Sequence, residues 1–390
     1  MARLSKADAL AHVHRILDKV PLIDGHNDLP YTIRRHSNCD VRAFDLNRAH
    51  QGYDTDIARL KKGRLTAQWW AAFVPTQVAK PGLVTLEQID VALEIARAHP
   101  DVFLPATRAS DVARAKRAGL IASFVTVESG VGLENSLAPL RVWYAAGVRL
   151  MTLCHNETLD WVDSSTDVAR HGGITGFGRD VVLEMNRLGL IVDCAHTSHA
   201  AQHAVLDVSR APVLLSHMNA FTLCNHPRNV PDSVLDRLKT NGGMAMVTFV
   251  PAFISQALRD WQRPLTDPHG KAPPDADRAG WNERQAAKVG PAPRATLEQL
   301  CDHIDYMVQR AGIDHIGIGS DFFGGAVPDG LEDVSKFPDL LVELVRRGWS
   351  NGAIAKIAGR NFLRVFRNVE RTAKTLQLSE LPRVGRVSAS

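Results

Sequence analysis

Six apolar segments of this 390-residue chain end in an imidazole or a carboxylate: PLIDGHND (21–28), SFVTVES (123–129), RLMTLCHN (149–156), LIVDCAHTS (190–198), VLLSHMN (213–219) and IGIGSDF (316–322). His26 and Asp28 lie two positions apart, so an extended backbone points both side chains the same way, ready to grip one metal ion. A surface turn would explain the same triplet. Glu128 closes an otherwise apolar run, where an unpaired carboxylate is costly; it reads as a salt-bridged buried acid or as a ligand. A lone histidine at such a place is ordinary packing. His196 and His217, ending two successive runs and joined by Glu128 and the His-X-Asp pair, are not so easily explained. Asp321 closes the series. A nitrogen and oxygen donor set of this kind suits zinc, and its carboxylate content admits manganese or cobalt. The donors suffice for two ions sharing one carboxylate.

Something must bring these distant residues together. Apolar runs at 20–23, 69–74, 121–127, 148–154, 190–194, 213–215, 244–250 and 315–319 carry apolar side chains on both faces, as parallel strands covered by helices do. Segments 86–98, 137–146, 177–188, 199–208, 234–240 and 297–311 show the spacing of half-buried helices. The alternation predicts an α/β fold, a (β/α)8 TIM barrel, with a doubly wound open sheet as the competing arrangement. In a barrel all C-terminal strand ends open on one face, so the ionisable residues converge there. We expect one catalytic domain over 1–390, with an N-terminal helix at about 5–19 and closing helices at about 333–374. A Pro- and charge-rich insertion at about 263–294 has the character of a loop or lid.

The remaining sequence narrows the chemistry. Hydrophobic residues make up 45% of the chain and charged residues 23%, the balance of a soluble globular protein. The net charge of +4 is scattered, which argues against a nucleic-acid partner. Five cysteines form no CxxC, and Cys154 and Cys194 sit in apolar runs as small buried thiols, pointing to a reducing compartment. No signal peptide, spanning-length apolar run or lipid-anchor tail is visible, so a cytoplasmic location without membrane contact is expected. GxSxG, Walker A, HExxH and dinucleotide fingerprints are absent. His12, His14, His36 and His50 lie in helical or loop contexts, and His303 reads as a helix residue near the barrel base. His199 and His226 are set aside despite their nearness in sequence. Trp69 and Trp70 read as barrel core and pocket wall.

Taken together, PLIDGHNDLP, VTVES, TLCHN, IVDCAHTS, LLSHMNA, PRNVPD, GIGSDF and GLEDVSKFPDLL resemble the renal (membrane) dipeptidase family of zinc peptidases, from about residue 20 to about residue 370. The resemblance implies a distorted TIM barrel of the amidohydrolase type, two zinc ions and a dimer. It places His26, Asp28 and Asp321 on one ion, Glu128 as the bridge, and His196 and His217 on the second. It implies dipeptide hydrolysis by a metal-bridging hydroxide, tolerating a D-residue at the C-terminal position. Asp321 would move the proton, His155 would face the scissile carbonyl, and Arg228 of RNVPD would hold the substrate carboxylate. Four positions depart from the family pattern. Ser129 stands where many relatives have glycine, Phe323 where many have aspartate, and Phe73 and Phe253, both in the substrate pocket, where tyrosines are common. The pocket is thereby less polar. This motivates a second reading, a binuclear hydrolase of another small amide such as an N-acyl amino acid or modified dipeptide. A non-catalytic metal-binding barrel is a third; it leaves His155, Asp321 and Arg228 without a purpose.

Overall fold

The apolar runs become strands, and the strands close almost completely on themselves. The computed structural model describes residues 4–263 and 283–387. In chain order the strands are β1 (Ile23–Asn27), β2 (Ala67–Phe73), β3 (Phe103–Pro105), β4 (Ile121–Glu128), β5 (Val148–Thr152), β6 (Ile191–Asp193), β7 (Leu214–Leu215), β8 (Met244–Val247) and β9 (Ile316–Ile318). They pair in parallel in the order β1-β2-β4-β5-β6-β7-β8-β9, with β3 attached to the first residues of β4. This is a distorted (β/α)8 barrel with one seam, between β1 and β9. Across that seam the backbone meets only near the strand ends, where the Asp28 N–H donates to the Phe322 carbonyl at 2.9 Å and the Asp321 N–H to that of His26 at 3.1 Å.

Side-chain alternation explains how one strand serves both core and site. Along β4, Ala122, Phe124, Thr126 and Glu128 share a face, since successive residues of a strand point to opposite sides. Phe124 stacks on Trp69, with ring centroids 4.4 Å apart, and Phe362 and Phe366 from the helix Asn361–Gln377 pack against the pair. Trp70, one residue on, points into the helical layer, where its Nε1 donates to Ser123 Oγ at 2.9 Å. Both tryptophans are therefore core and neither is pocket wall. Phe73, at the end of the same strand and in register with Glu128, takes that place.

Element boundaries differ from the sequence reading for local reasons. The first strand runs from Ile23, not from 20, because Val20 caps the helix Lys6–Lys19 and Pro21 has no N–H to give a ladder. His26 thus lies inside the strand rather than after it. The eighth strand stops at Val247, since Pro251 starts a short helix after the turn. The helix expected over 86–98 begins at Pro81, which occupies its first turn. Helices Leu29–Ser37, Val41–Phe44, Ile57–Lys62 and Ala109–Ala118 and the strand β3 carry too short or too polar a pattern to be read from sequence. The closing helices are Phe337–Arg346, Asn351–Ala355 and Asn361–Gln377, the last two joined by a π-helical turn at Lys356–Arg360. Of the insertion expected over 263–294, residues 264–282 lie outside the described residues, and 283–289 are helical. Among the described residues no helix is long and apolar enough to cross a membrane. All five cysteines are free thiols, and Cys154 and Cys194 are buried as expected.

Candidate metal centre

The strand ends deliver every predicted ligand to one place. Glu128 stands at the middle and divides its two oxygens between two groups. Its Oε2 lies 3.5 Å from His26 Nε2, which is in turn 3.6 Å from Asp28 Oδ1 and 3.9 Å from Asp321 Oδ1. Its Oε1 faces the other side, 3.1 Å from His196 Nε2, 3.7 Å from His217 Nε2 and 3.9 Å from His155 Nε2. Three sets of potential ligand atoms, each within 4.8 Å of one another, overlap here: His26, Asp28 and Asp321; His26, Glu128 and His217; Glu128, His155 and His196. His155 therefore sits as close to Glu128 as a ligand would.

The donor atoms fit a cation. Both ring nitrogens of His26, Asp28 Oδ1, His217 Nε2 and His196 Nδ1 are buried without a hydrogen-bond partner. Each such group costs about 1–3 kcal/mol when left unsatisfied. Burial raises the proton affinity of Asp28 and Asp321, and the nearby Glu128 carboxylate raises it further. Burial opposes a charge on His26, but the Glu128 and Asp28 carboxylates overcome it and hold its pKa well above the ordinary value. Burial and neighbouring cations push His196 and His217 well below, into the neutral form that ligates metals. Three acids packed this closely are relieved by a shared positive charge.

Two buried aspartates hold the ligands, and the sequence reading overlooked both. Asp193 Oδ1 accepts the Ser216 N–H at 2.9 Å, and its Oδ2 accepts the Ser216 hydroxyl at 2.6 Å. Ser216 Oγ, its own proton so committed, accepts His217 Nδ1–H at 2.8 Å, which leaves Nε2 bare toward Glu128. Asp24 repeats the fork on the seam: its Oδ1 accepts the Ser320 N–H and its Oδ2 the Ser320 hydroxyl, both at 2.8 Å. Each serine directly precedes a ligand, His217 or Asp321. The available signal was an acid inside an apolar strand run, two or three residues before a histidine. Backbone strain marks the same face. His196 and Asp321 have φ of +67° and +65°, and Ser129 has +88°. The last value explains why glycine suits position 129 and what serine costs there. The β1–β2 register slips between Asp24 and Asn27, the kind of irregularity that re-aims a side chain, and His26 lies within it.

Around the acids stands the expected pocket. The His155 ring packs against His196 at 4.1 Å and Phe73 at 4.4 Å; burial and then Arg228 lower its pKa to about 3, keeping it neutral. Arg228 is only 2% exposed, yet its Nη1 has no partner. Its guanidinium lies 5.3 Å from the Phe253 ring. Asn229 fixes this loop by donating to the carbonyls of Cys224 and Phe253, each at 2.8 Å. His226 Nδ1 accepts the Arg228 N–H at 3.2 Å, and His199 Nε2 bonds the Asn229 carbonyl at 2.9 Å. Neither histidine joins the cluster; both position the arginine's loop. His303 is not near the barrel base. It accepts the Ala220 N–H at Nδ1 and donates from Nε2 to the Ile254 carbonyl, bracing the loops after β7 and β8 on the side of the cluster. Phe323 turns to Tyr53, at 5.9 Å.

Comparison with known proteins gives a consistent result. The family model of membrane dipeptidases, peptidase family M19, matches residues 10–380. Dipeptidase verJ of Clonostachys rogersoniana is 36% identical over 384 residues, which are 95% of this chain and 89% of its own. The probable dipeptidase PvdM of Pseudomonas aeruginosa aligns in structure over 94% of this chain and 100% of its own, at a TM-score of 0.79 and 26% identity. A metallopeptidase of Rhodobacter sphaeroides, solved with a phosphinate mimic of the dipeptide L-Ala-D-Ala, shares the fold over 90% and 99%, at 0.74 and 20% identity.

Proposed function

We propose that this chain, which belongs to the membrane dipeptidase family (peptidase family M19) and is a hydrolase of that type, splits small dipeptides with two zinc ions. The observation that carries this reading is the division of Glu128, one oxygen toward His26 and the other toward His196 and His217. His26, Asp28 and Asp321 would hold one ion, His196 and His217 the other, and Glu128 both. When bound, the pair supplies an acidified water and a Lewis-acid contact for the scissile carbonyl. Asp321, its proton affinity raised by burial, accepts a proton at its carboxylate during attack and returns it to the leaving amine. Neutral His155 donates an N–H to the carbonyl oxygen as it gains charge, a contact worth roughly 3–4 kcal/mol at the transition state. The uncommitted Nη1 of Arg228 takes the C-terminal carboxylate. The Rhodobacter sphaeroides relative holds a mimic of L-Ala-D-Ala, and we extend that tolerance of a C-terminal D-residue to this chain.

One observation favours a second reading. Phe73 faces His155 with a ring that carries no hydroxyl, so this side chain offers the amino group of a dipeptide no hydrogen bond, and an N-acyl amino acid or modified dipeptide is the alternative. A library of dipeptides, including L,D-pairs, assayed beside N-acyl amino acids separates the two when metal content is measured on the same preparation. We expect about two zinc ions per chain and turnover of free dipeptides. Turnover confined to N-acyl substrates would sink the first reading in favour of the second. No turnover in a metal-replete sample would sink both.

A further inference from the structure

The end of the barrel away from the metal cluster carries a hollow of about 680 Å³ that the hydrolytic chemistry does not use. It lies under Pro21, which precedes β1, between the last turns of Lys6–Lys19 and Ala109–Ala118 and the start of Asn361–Gln377. Lys19, Lys116, Arg117, Arg360 and Arg367 line it, against a single acid, Asp18, which is paired with Arg64. Lys116 is committed, donating to the Leu17 carbonyl at 2.7 Å, and burial and then Arg64 lower its pKa. Among the described residues the other four cations have no ion pair or side-chain hydrogen bond.

Such a grouping is not explained by folding. Lys19, Arg117 and Arg360 lie in the last turns of their helical segments, where a cation is favourable, but Arg367 does not, and exposed like charges gathered without acids repel, weakly where solvent screens them. Arg360 is brought there by the π-helical turn. Gly359 packs so closely on Pro21 that a Cβ would lie 2.8 Å from the Pro21 carbonyl oxygen. Beneath the cations, Val112 and Leu363 form a buried apolar floor. Three guanidinium forks match the oxygens of several phosphate groups, whereas one carboxylate would satisfy one fork. The volume lies within the roughly 300–1,000 Å³ range of small-molecule sites.

We infer that this hollow binds a small organic polyphosphate, its phosphates on Arg117, Arg360 and Arg367 and its less polar body on Val112 and Leu363. The inference is independent of the dipeptidase reading. Its test is calorimetric titration of the metal-loaded full chain with ADP and with pyrophosphate, in wild type and in the variant Arg117→Glu/Arg360→Glu/Arg367→Glu. The wild type should bind ADP one to one and more tightly than pyrophosphate. The triple variant should bind ADP at least about 30-fold more weakly, with thermal stability and hydrolytic activity unchanged. Should the triple variant fold poorly, Arg117→Ala and Arg367→Ala singly should each weaken ADP by about 3- to 10-fold. Equal binding by wild type and variants, or binding lost on stripping the metals but kept in the variants, would overturn the inference. So would absence of ADP binding, or tighter binding of a single-stranded RNA oligonucleotide than of ADP.

Discussion

On the β6–β7 side of the cluster, Asp193 ties down Ser216 through both its N–H and its hydroxyl, and His217 follows. On the β1–β9 side, Asp24 ties down Ser320 in the same two ways, and Asp321 follows. The forks match nearly atom for atom, but their settings differ. Asp193 sits in a ladder, paired in register with Leu214, and Thr152 of β5 donates to it as well. Asp24 faces a strand with which β1 shares no ladder. Burial lifts its pKa to about 6 despite the hydrogen bonds from Ser320 and Gln68. The same device therefore reinforces a pairing on one side and substitutes for it on the other. The difference also separates the donors: the seam side is rich in carboxylates and the ladder side in imidazoles, and Glu128 gives one oxygen to each while the His26 ring packs on that of His217 at 4.1 Å.

The largest effect is expected where the two sides meet. Glu128→Ala should strip metal from both positions and lower turnover by 10³-fold or more, on the order of the loss of an essential catalytic group. Asp321→Asn, on the seam side alone, should keep most of the metal yet lose about 10²–10⁴-fold in turnover. Metal analysis beside kinetics checks both, and unchanged activity in the asparagine variant would remove the proton-transfer role. Next come the forks themselves. Asp24→Asn should weaken metal binding by about 10–100-fold, as loss of a ligand-orienting partner does, and Asp193→Asn distinctly less. Equal losses in competition with a chelator would show that the ladder adds nothing. The smallest effect concerns the wall they share. Phe73→Tyr should lower KM for free dipeptides by about 3- to 10-fold and leave N-acyl substrates alone, the contribution of one added hydrogen bond. A fall for both classes would place the new hydroxyl elsewhere than at the amino group.

Much of this was legible before any coordinates. An imidazole or carboxylate at the end of an apolar run is costly unless used, and six such ends in series predicted the cluster residue by residue. Two-sided apolar runs predicted parallel strands, and the barrel followed. The supporting shell was not legible. Asp24 and Asp193 drew no notice, because their partners Ser320 and Ser216 are 296 and 23 residues away. His303 read as a helix residue near the barrel base because its partners Ala220 and Ile254 are 83 and 49 residues away, and His226 was set aside although Arg228, whose N–H it accepts, is two residues on. Trp69 and Trp70 are adjacent in sequence, and only the pleat assigns one to the barrel interior and the other to the helical layer.

Residue types and hydrophobic pattern were enough to name the donors and acids of the cluster, because strand ends announce themselves by the apolar runs before them. The tertiary structure alone decided which oxygen of Glu128 faces which group, which seam stays open, and which buried acid holds it. Those depend on register, twist and the direction of each side chain, and hydrogen bonds between residues far apart in the chain leave no spacing to read.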